Sequence, residues 1–195
     1  MPDNTAKRPQ IWVRDAFIPR KRLLTTDEID YARDVFADSV DYAAIRLTRG
    51  SLFAMGSPVT LGATIHFKAA WGLFDGDGLE LTRRGRQTLI HEMTHVWQYQ
   101  NGGLAYIPLS LTAQMLAALR GGDRGGAYNW RAAHNGQCPW SRWNPEQQAA
   151  AVEDYNKLLR RAHDGTATPA EAAEFAILGD YIGQVRGREG APRLR

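Results

Sequence analysis

The sequence predicts an α+β fold, a small N-terminal sheet followed by a mainly helical C-terminal part. Three observations predict it. Apolar residues recur with helical period in "TTDEIDYARDVFADSV". They alternate with polar ones around Ile45–Leu47 and Ile65–Phe67. From residue 83 onward, most segments between breakers carry helix-start signals and helix-spaced apolar stripes.

Taken in order, residues 1–10 are polar with proline near both ends, which predicts a disordered arm. "IWVRDAFIPR" predicts a short strand or packing arm. Thr25 and Glu28 stand at capping-box spacing ahead of Ile29, Ala32, Val35 and Phe36, which form one stripe of a helix. A strand around Ile45 and Leu47 stops at Gly50. A second extended segment places Ile65 and Phe67 toward the core and Thr64, His66 and Lys68 away from it. A Gly- and Asp-rich loop, "WGLFDGDGLELT", leads into a helix from about Arg83 to Gln100, ended by Asn101-Gly102-Gly103. "PLSLTAQMLAALR" predicts an amphipathic helix, "GGDRGG" a break, and "AYNWRAAHNGQCPWSRW" an irregular aromatic stretch. Asn144-Pro145 and Thr168-Pro169 open two further helices, each with its N-cap and a proline in the first turn. The expected organisation is one domain over 11–184, with a basic flexible tail over 185–195.

With 195 residues the chain can bury a core without staples, and its single cysteine, Cys138, excludes an internal disulfide and four-cysteine metal sites. The net charge of +3 sits in short arginine-rich stretches typical of solvated faces, so no nucleic-acid partner is expected. No run is long and apolar enough for a membrane span, and the N-terminus has no signal-peptide core. The expected location is the cytoplasm, or outside the cell by a route without a cleaved signal.

"LIHEMTHVWQYQ" carries the chemistry. With His91 at 0° on a helical wheel, His95 falls near ~40°, one turn later on the same face. Glu92 falls near ~100°, beside the pair, while Leu89, Ile90, Met93, Val96 and Trp97 fall between roughly 140° and 260°. The histidines therefore share a polar face, with Thr88 and Gln98, opposite the core side. Two imidazoles so placed can grip one zinc ion, and Glu92 can reach a water on it. A catalytic zinc needs a third protein ligand. Glu146 is the candidate, in the first turn of a helix where backbone N–H groups favour a carboxylate and where Ala149 and Ala150 leave room for close helix approach. Glu153, one heptad later on the same face, and His134 are the alternatives. Glu153 or Asp154 also suits an acceptor role toward a ligand histidine. Tyr155, Tyr128, Arg131 and His134 are candidate donors to a developing oxyanion. Trp130, Trp140 and Trp143 form a small aromatic core or a cleft wall, with the core reading preferred.

"SVDYAAIRLTRG", "PVTLGATIHFKAAWG" and "LIHEMTHVWQYQ" together resemble a bacterial family, the metallopeptidase-like domain associated with extracellular contractile injection systems. More broadly, the chain is similar to zincin metallopeptidases of the gluzincin type. The likeness covers residues 38–100 and, beyond them, "EQQA". It departs at Ala150, where many gluzincins carry an aspartate. The resemblance implies a zincin-like fold with an edge strand lying over the His-Glu-x-x-His helix, and the strand "GATIHF" is expected to be that strand, with Thr64 and His66 toward the substrate. It implies a zinc-dependent peptidase with Glu92 as general base, acting on a peptide or protein and linked to a secretion or injection apparatus. The competing expectations are a catalytically silent, metal-stabilised binding scaffold and an amidase for cell-wall peptides.

Overall fold

The computed structural model describes residues 13–15, 18–50, 57–67, 72–75, 80–110 and 124–193. The expected arm over 1–10 lies outside the described residues, as does most of the helix expected from "PLSLTAQMLAALR"; residues 106–110 are helical.

The architecture is α+β, as expected. Five strands, β1 (Val13–Asp15), β2 (Ile18–Leu23), β3 (Arg46–Arg49), β4 (Val59–Leu61) and β5 (Thr64–Phe67), form one sheet in the order β1-β2-β3-β5-β4. β3 and β5 run parallel, and the other pairs are antiparallel. Besides the helical residues 106–110, the described α-helices are α1 (Thr26–Phe36), α2 (Arg83–Gly102), the short α3 (Trp130–Asn135), α4 (Pro145–His163) and α5 (Pro169–Arg186).

Local chemistry explains the boundaries. Thr25 accepts from Glu28 N while the Glu28 carboxylate accepts from Thr25 N, so the expected capping box forms. The same carboxylate pairs bidentately with buried Arg22 at 2.6 Å, tying β2 to the start of α1. Asn144 and Thr168 cap α4 and α5, each followed by proline at the first helical position. The core lies between the sheet and the helices. Leu47, Ile65 and Phe67 meet Val35 and Phe36 of α1 and Leu89, Ile90, Met93, Val96 and Trp97 of α2; Leu178, Ile182 and Val185 of α5 complete it. The indole of Trp97 donates to Val185 O at 3.0 Å.

Two expectations change. "GATIHF" is not the edge strand. β5 lies between β3 and β4, and the edge is β4, joined to β5 by a two-residue turn in which Gly62 takes φ +61°. His66 is accordingly enclosed, 8% exposed, with its Nδ1 3.0 Å from Thr48 Oγ1 on paired β3. Burial pushes its imidazole below the usual range, and the charge of Lys21 adds to this. Thr64 pairs with Arg46 on one side and Leu61 on the other, so neither residue presents a free edge to a substrate. The tail is also packed farther than expected. α5 continues to Arg186, Val185 and Ala191 are buried, and the Gly190 carbonyl accepts from Gln148. The boundary expected at 184/185 thus falls inside a helix.

Gly85 sets how the motif helix enters the fold. A Cβ there would stand 2.0 Å from the Leu73 carbonyl oxygen, a backbone atom. Gly85→Ala is expected to cost about 1–3 kcal/mol, a fall in Tm on the order of 3–10 °C by thermal unfolding. An unchanged Tm would contradict this packing.

Candidate metal centre

The site is built where α2 meets α4. α2 carries His91 and His95 one turn apart, with ring centroids separated by 5.3 Å. α4 begins at Pro145, so Glu146 occupies the second position of its first turn, where free N–H groups and the helix dipole favour a carboxylate. Ala149, fully buried, and Ala150, half-buried, keep the facing side of α4 thin.

Glu146 Oε2 lies 3.5 Å from His91 Nε2 and 3.7 Å from His95 Nε2. The three ligand atoms all lie within 4.8 Å of one another and form, among the described residues, the group able to hold a metal ion. Bonds of about 2.0–2.2 Å in a tetrahedral arrangement place ligand atoms about 3.3–3.5 Å apart, so the donor set needs little movement to close on an ion. Ser110 Oγ donates to the other carboxylate oxygen, Oε1, leaving Glu146 to present Oε2.

The outer nitrogens of the imidazoles are held as well. His91 Nδ1 is 3.1 Å from Glu153 Oε2, and His95 Nδ1 is 2.8 Å from Gln98 Oε1. Both partners accept, so each Nδ1 carries a hydrogen, and in the neutral ring each Nε2 offers its lone pair to the centre. Glu153 Oε1 pairs with Lys157 at 2.9 Å.

The electrostatics of the metal-free site follow. Burial alone pushes the His91 imidazole down, but its hydrogen bonds to Glu146 and Glu153 outweigh this and raise it to about 10. His95 is raised in the same way against its burial, chiefly by Glu146. Burial raises the Glu146 carboxyl and the two histidines more than reverse this, leaving it well below the usual range. Glu153 is likewise held at about 2, its burial outweighed by His91 and Lys157.

Glu92 is buried beside the histidines and is not one of the three ligands. Thr60 Oγ1, on edge strand β4, lies 2.7 Å from Glu92 Oε2 and 3.2 Å from the Glu92 carbonyl oxygen. Thr60 is thus attached to the sheet edge and to the carboxylate at once. The Tyr106 hydroxyl donates to Thr60 O at 2.8 Å and accepts from Gly62 N at 3.0 Å, and its ring stacks on His95. Burial pushes that hydroxyl up to about 12.

Of the candidates read from sequence, His91, Glu92, His95, Glu146 and Glu153 converge, Glu153 as hydrogen-bond partner of His91 rather than as a member of the metal-binding group. Tyr128 also lies close, its ring centroid 5.9 Å from that of His91. Four others do not join them. His134 faces Tyr181, with Nδ1 2.7 Å from the phenol oxygen. Asp154 accepts from the Trp130 indole and pairs with Lys157, not with a ligand histidine. Tyr155 lies nine residues after Glu146, about 180° around α4, and stacks on Phe175 in the core. Arg131 lies over Trp130 and pairs with Glu174 and Asp154. Trp130, Trp140 and Trp143 are all buried and packed on one another, a core cluster as preferred. Sequence reasoning missed Thr60, Tyr106 and Ser110, and it read Gln98 only as part of the polar face. The His95-x-x-Gln98 spacing was the available signal for the last.

This group of a partly buried and a buried histidine and a buried glutamate, with carboxylate and amide partners behind, defines a centre able to bind a metal ion. The chain is similar to part of the type VI secretion system spike protein VgrG2b of Pseudomonas aeruginosa, 36% identical over a 90-residue alignment that covers 42% of this chain and 8% of that protein. The chain therefore corresponds to a small fraction of that relative's length. No family model matches the chain, and no solved structure matches it. Among the described residues, no helix is long and apolar enough to cross a membrane.

Metal and protons compete for the same Nε2 atoms. With His91 raised to about 10, its ring carries the extra proton at pH 7 and must release it when a metal binds. Affinity is expected to rise with pH below that value, about tenfold per unit for each proton displaced. Calorimetric titration of zinc at pH 7 in buffers of different ionisation enthalpy should show at least one proton released per ion. Heats independent of the buffer would contradict it.

Proposed function

We propose that this chain is a zinc-dependent peptidase of the zincin class with a glutamate third ligand, similar to the metallopeptidase-like domain of contractile injection systems. One observation carries the reading. Glu92 is a buried carboxylate next to a three-ligand centre, held by Thr60 on the sheet edge and not used as a ligand. A purely structural zinc site is usually closed by four protein ligands and has no need of such a group.

Two imidazole nitrogens and one carboxylate oxygen suit zinc, which accepts both donor types in tetrahedral geometry. When bound, zinc lowers the pKa of water and polarises a carbonyl oxygen. His91 and His95 supply their Nε2 lone pairs, and Glu146 supplies Oε2. Glu92 accepts the proton of the attacking water and passes it to the leaving amine. Thr60 Oγ1 holds Oε2 of that carboxylate, which directs the other oxygen to the proton transfer. Tyr128, whose ring lies beside that of His91, is the proposed donor to the developing oxyanion. β4, at the sheet edge, supplies the strand beside which an extended peptide can lie.

Similarity to part of a type VI secretion spike protein supports placing the activity in a bacterial secretion or injection apparatus.

Glu92→Gln is expected to bind one zinc per chain as the wild type does and to lose hydrolysis of an unfolded protein such as casein by about 10²–10⁴-fold. His91→Ala is expected to lose both metal and activity. Equal behaviour of wild type and Glu92→Gln toward peptide libraries would favour the silent scaffold.

A further inference from the structure

Gln98 and Gln148 are both fully buried, and every amide hydrogen they carry is used. Gln148 Nε2 lies 3.0 Å from Trp140 O and 2.9 Å from Gly190 O. Backbone carbonyls only accept, so the atom facing them must be the nitrogen, and the oxygen of Gln148 must face Gln98. Gln98 meets that oxygen at 3.0 Å and Pro145 O, also at 3.0 Å. Both are acceptors, so Gln98 turns its nitrogen to them. Its oxygen is then left facing His95 Nδ1 at 2.8 Å, and that nitrogen must carry a hydrogen. Three donor–acceptor choices follow from carbonyls at Trp140, Pro145 and Gly190, and the last leaves the His95 Nε2 lone pair on the metal side.

The same chain of bonds joins the two ligand-bearing helices. Gln98 lies one turn after His95 on α2, and Pro145 immediately precedes Glu146 on α4. The Gln98 amide therefore holds His95 with one end and the peptide preceding Glu146 with the other. The segment after α5 is attached through Gly190, next to the buried Trp140.

We propose that Gln98 and Gln148 are positioning residues of the metal centre, a relay that sets the His95 tautomer and fixes the spacing between His95 and Glu146. It rests on the reading of that centre as a zinc site. The hydrogen bonds of Gln148 run to Gln98, Trp140 O and Gly190 O, so its hydrogen-bonded route to His95 passes through Gln98. His91 has its own acceptor, Glu153, and lies outside the relay.

The test is zinc affinity by competition with a chromophoric chelator, together with the visible spectrum of the cobalt(II)-substituted protein. Wild type, Gln98→Met and Gln148→Met are compared at a temperature where circular dichroism shows all of them folded. Gln98→Met is expected to lose about 10–100-fold in zinc affinity. Gln148→Met is expected to lose about 3–10-fold and to shift the cobalt bands, in the same direction as Gln98→Met. A merely structural role would lower Tm and leave affinity and spectrum in place. If Gln148→Met does not fold, Gln98→Met alone decides. Affinities within twofold of wild type in the folded variants overturn the relay while leaving the zinc site standing. A wild type that binds no zinc overturns both.

Discussion

One carboxylate oxygen shared between two imidazole nitrogens organises the site. Glu146 Oε2 faces both His91 Nε2 and His95 Nε2, and these atoms come from helices more than fifty residues apart in sequence. An acid buried this deeply would be costly without partners, and so would the charged forms of the buried His95 and the partly buried His91. Their mutual arrangement removes that cost, and the small residues Ala149 and Ala150 let α4 come close enough for it. Around the imidazoles stand Glu146, Glu153 and Glu92, offset in part by Lys157. This formal surplus of negative charge can be neutralised by protons on the histidines or by one divalent cation. The raised histidines and the depressed carboxylates describe the first state, and the metal centre is the second.

The hydrogen bonds behind the ligands serve different ends. Glu153 holds His91 with a full charge, while Gln98 holds His95 with a neutral amide tied to backbone carbonyls. Thr60 and Tyr106 connect the sheet edge to Glu92 and to the face of His95. His91, Glu92, His95 and Gln98 are therefore mounted on α2, Glu146 and Glu153 on α4, and Thr60 on β4. α2 and α4 share one core and β4 packs against α2, which suits a centre whose geometry must hold within fractions of an ångström.

Much of this was legible where a short periodic rule applied. The helix period alone puts His91 and His95 on one face and Glu92 beside them. The Asn144-Pro145 start marks where α4 begins, and hence why Glu146 sits in its first turn. The same rule, applied from Glu146, places Glu153 on the site face and Tyr155 opposite it. Strand β4 was harder to see: three residues beside Gly and Pro are too few to show alternation, so a hairpin was read as one extended segment. Thr60, Tyr106 and Ser110 reach the site through contacts 32 to 46 residues long in sequence, with no period to announce them. The packing of Ala191 and Gly190 also escaped notice, because a basic Gly- and Arg-rich end has the composition of a free tail while its small residues fit beside Trp140 and Gly102.

X-ray absorption at the zinc edge of the purified, zinc-loaded protein tests the central claim most directly. The account predicts a first shell of two imidazole nitrogens and one or two oxygens at about 2.0–2.1 Å, with the outer-shell scattering of two histidine rings, and loss of one oxygen ligand or of the bound zinc in Glu146→Ala. A sulfur neighbour at about 2.3 Å, a single histidine, or a spectrum that Glu146→Ala leaves unchanged would contradict it.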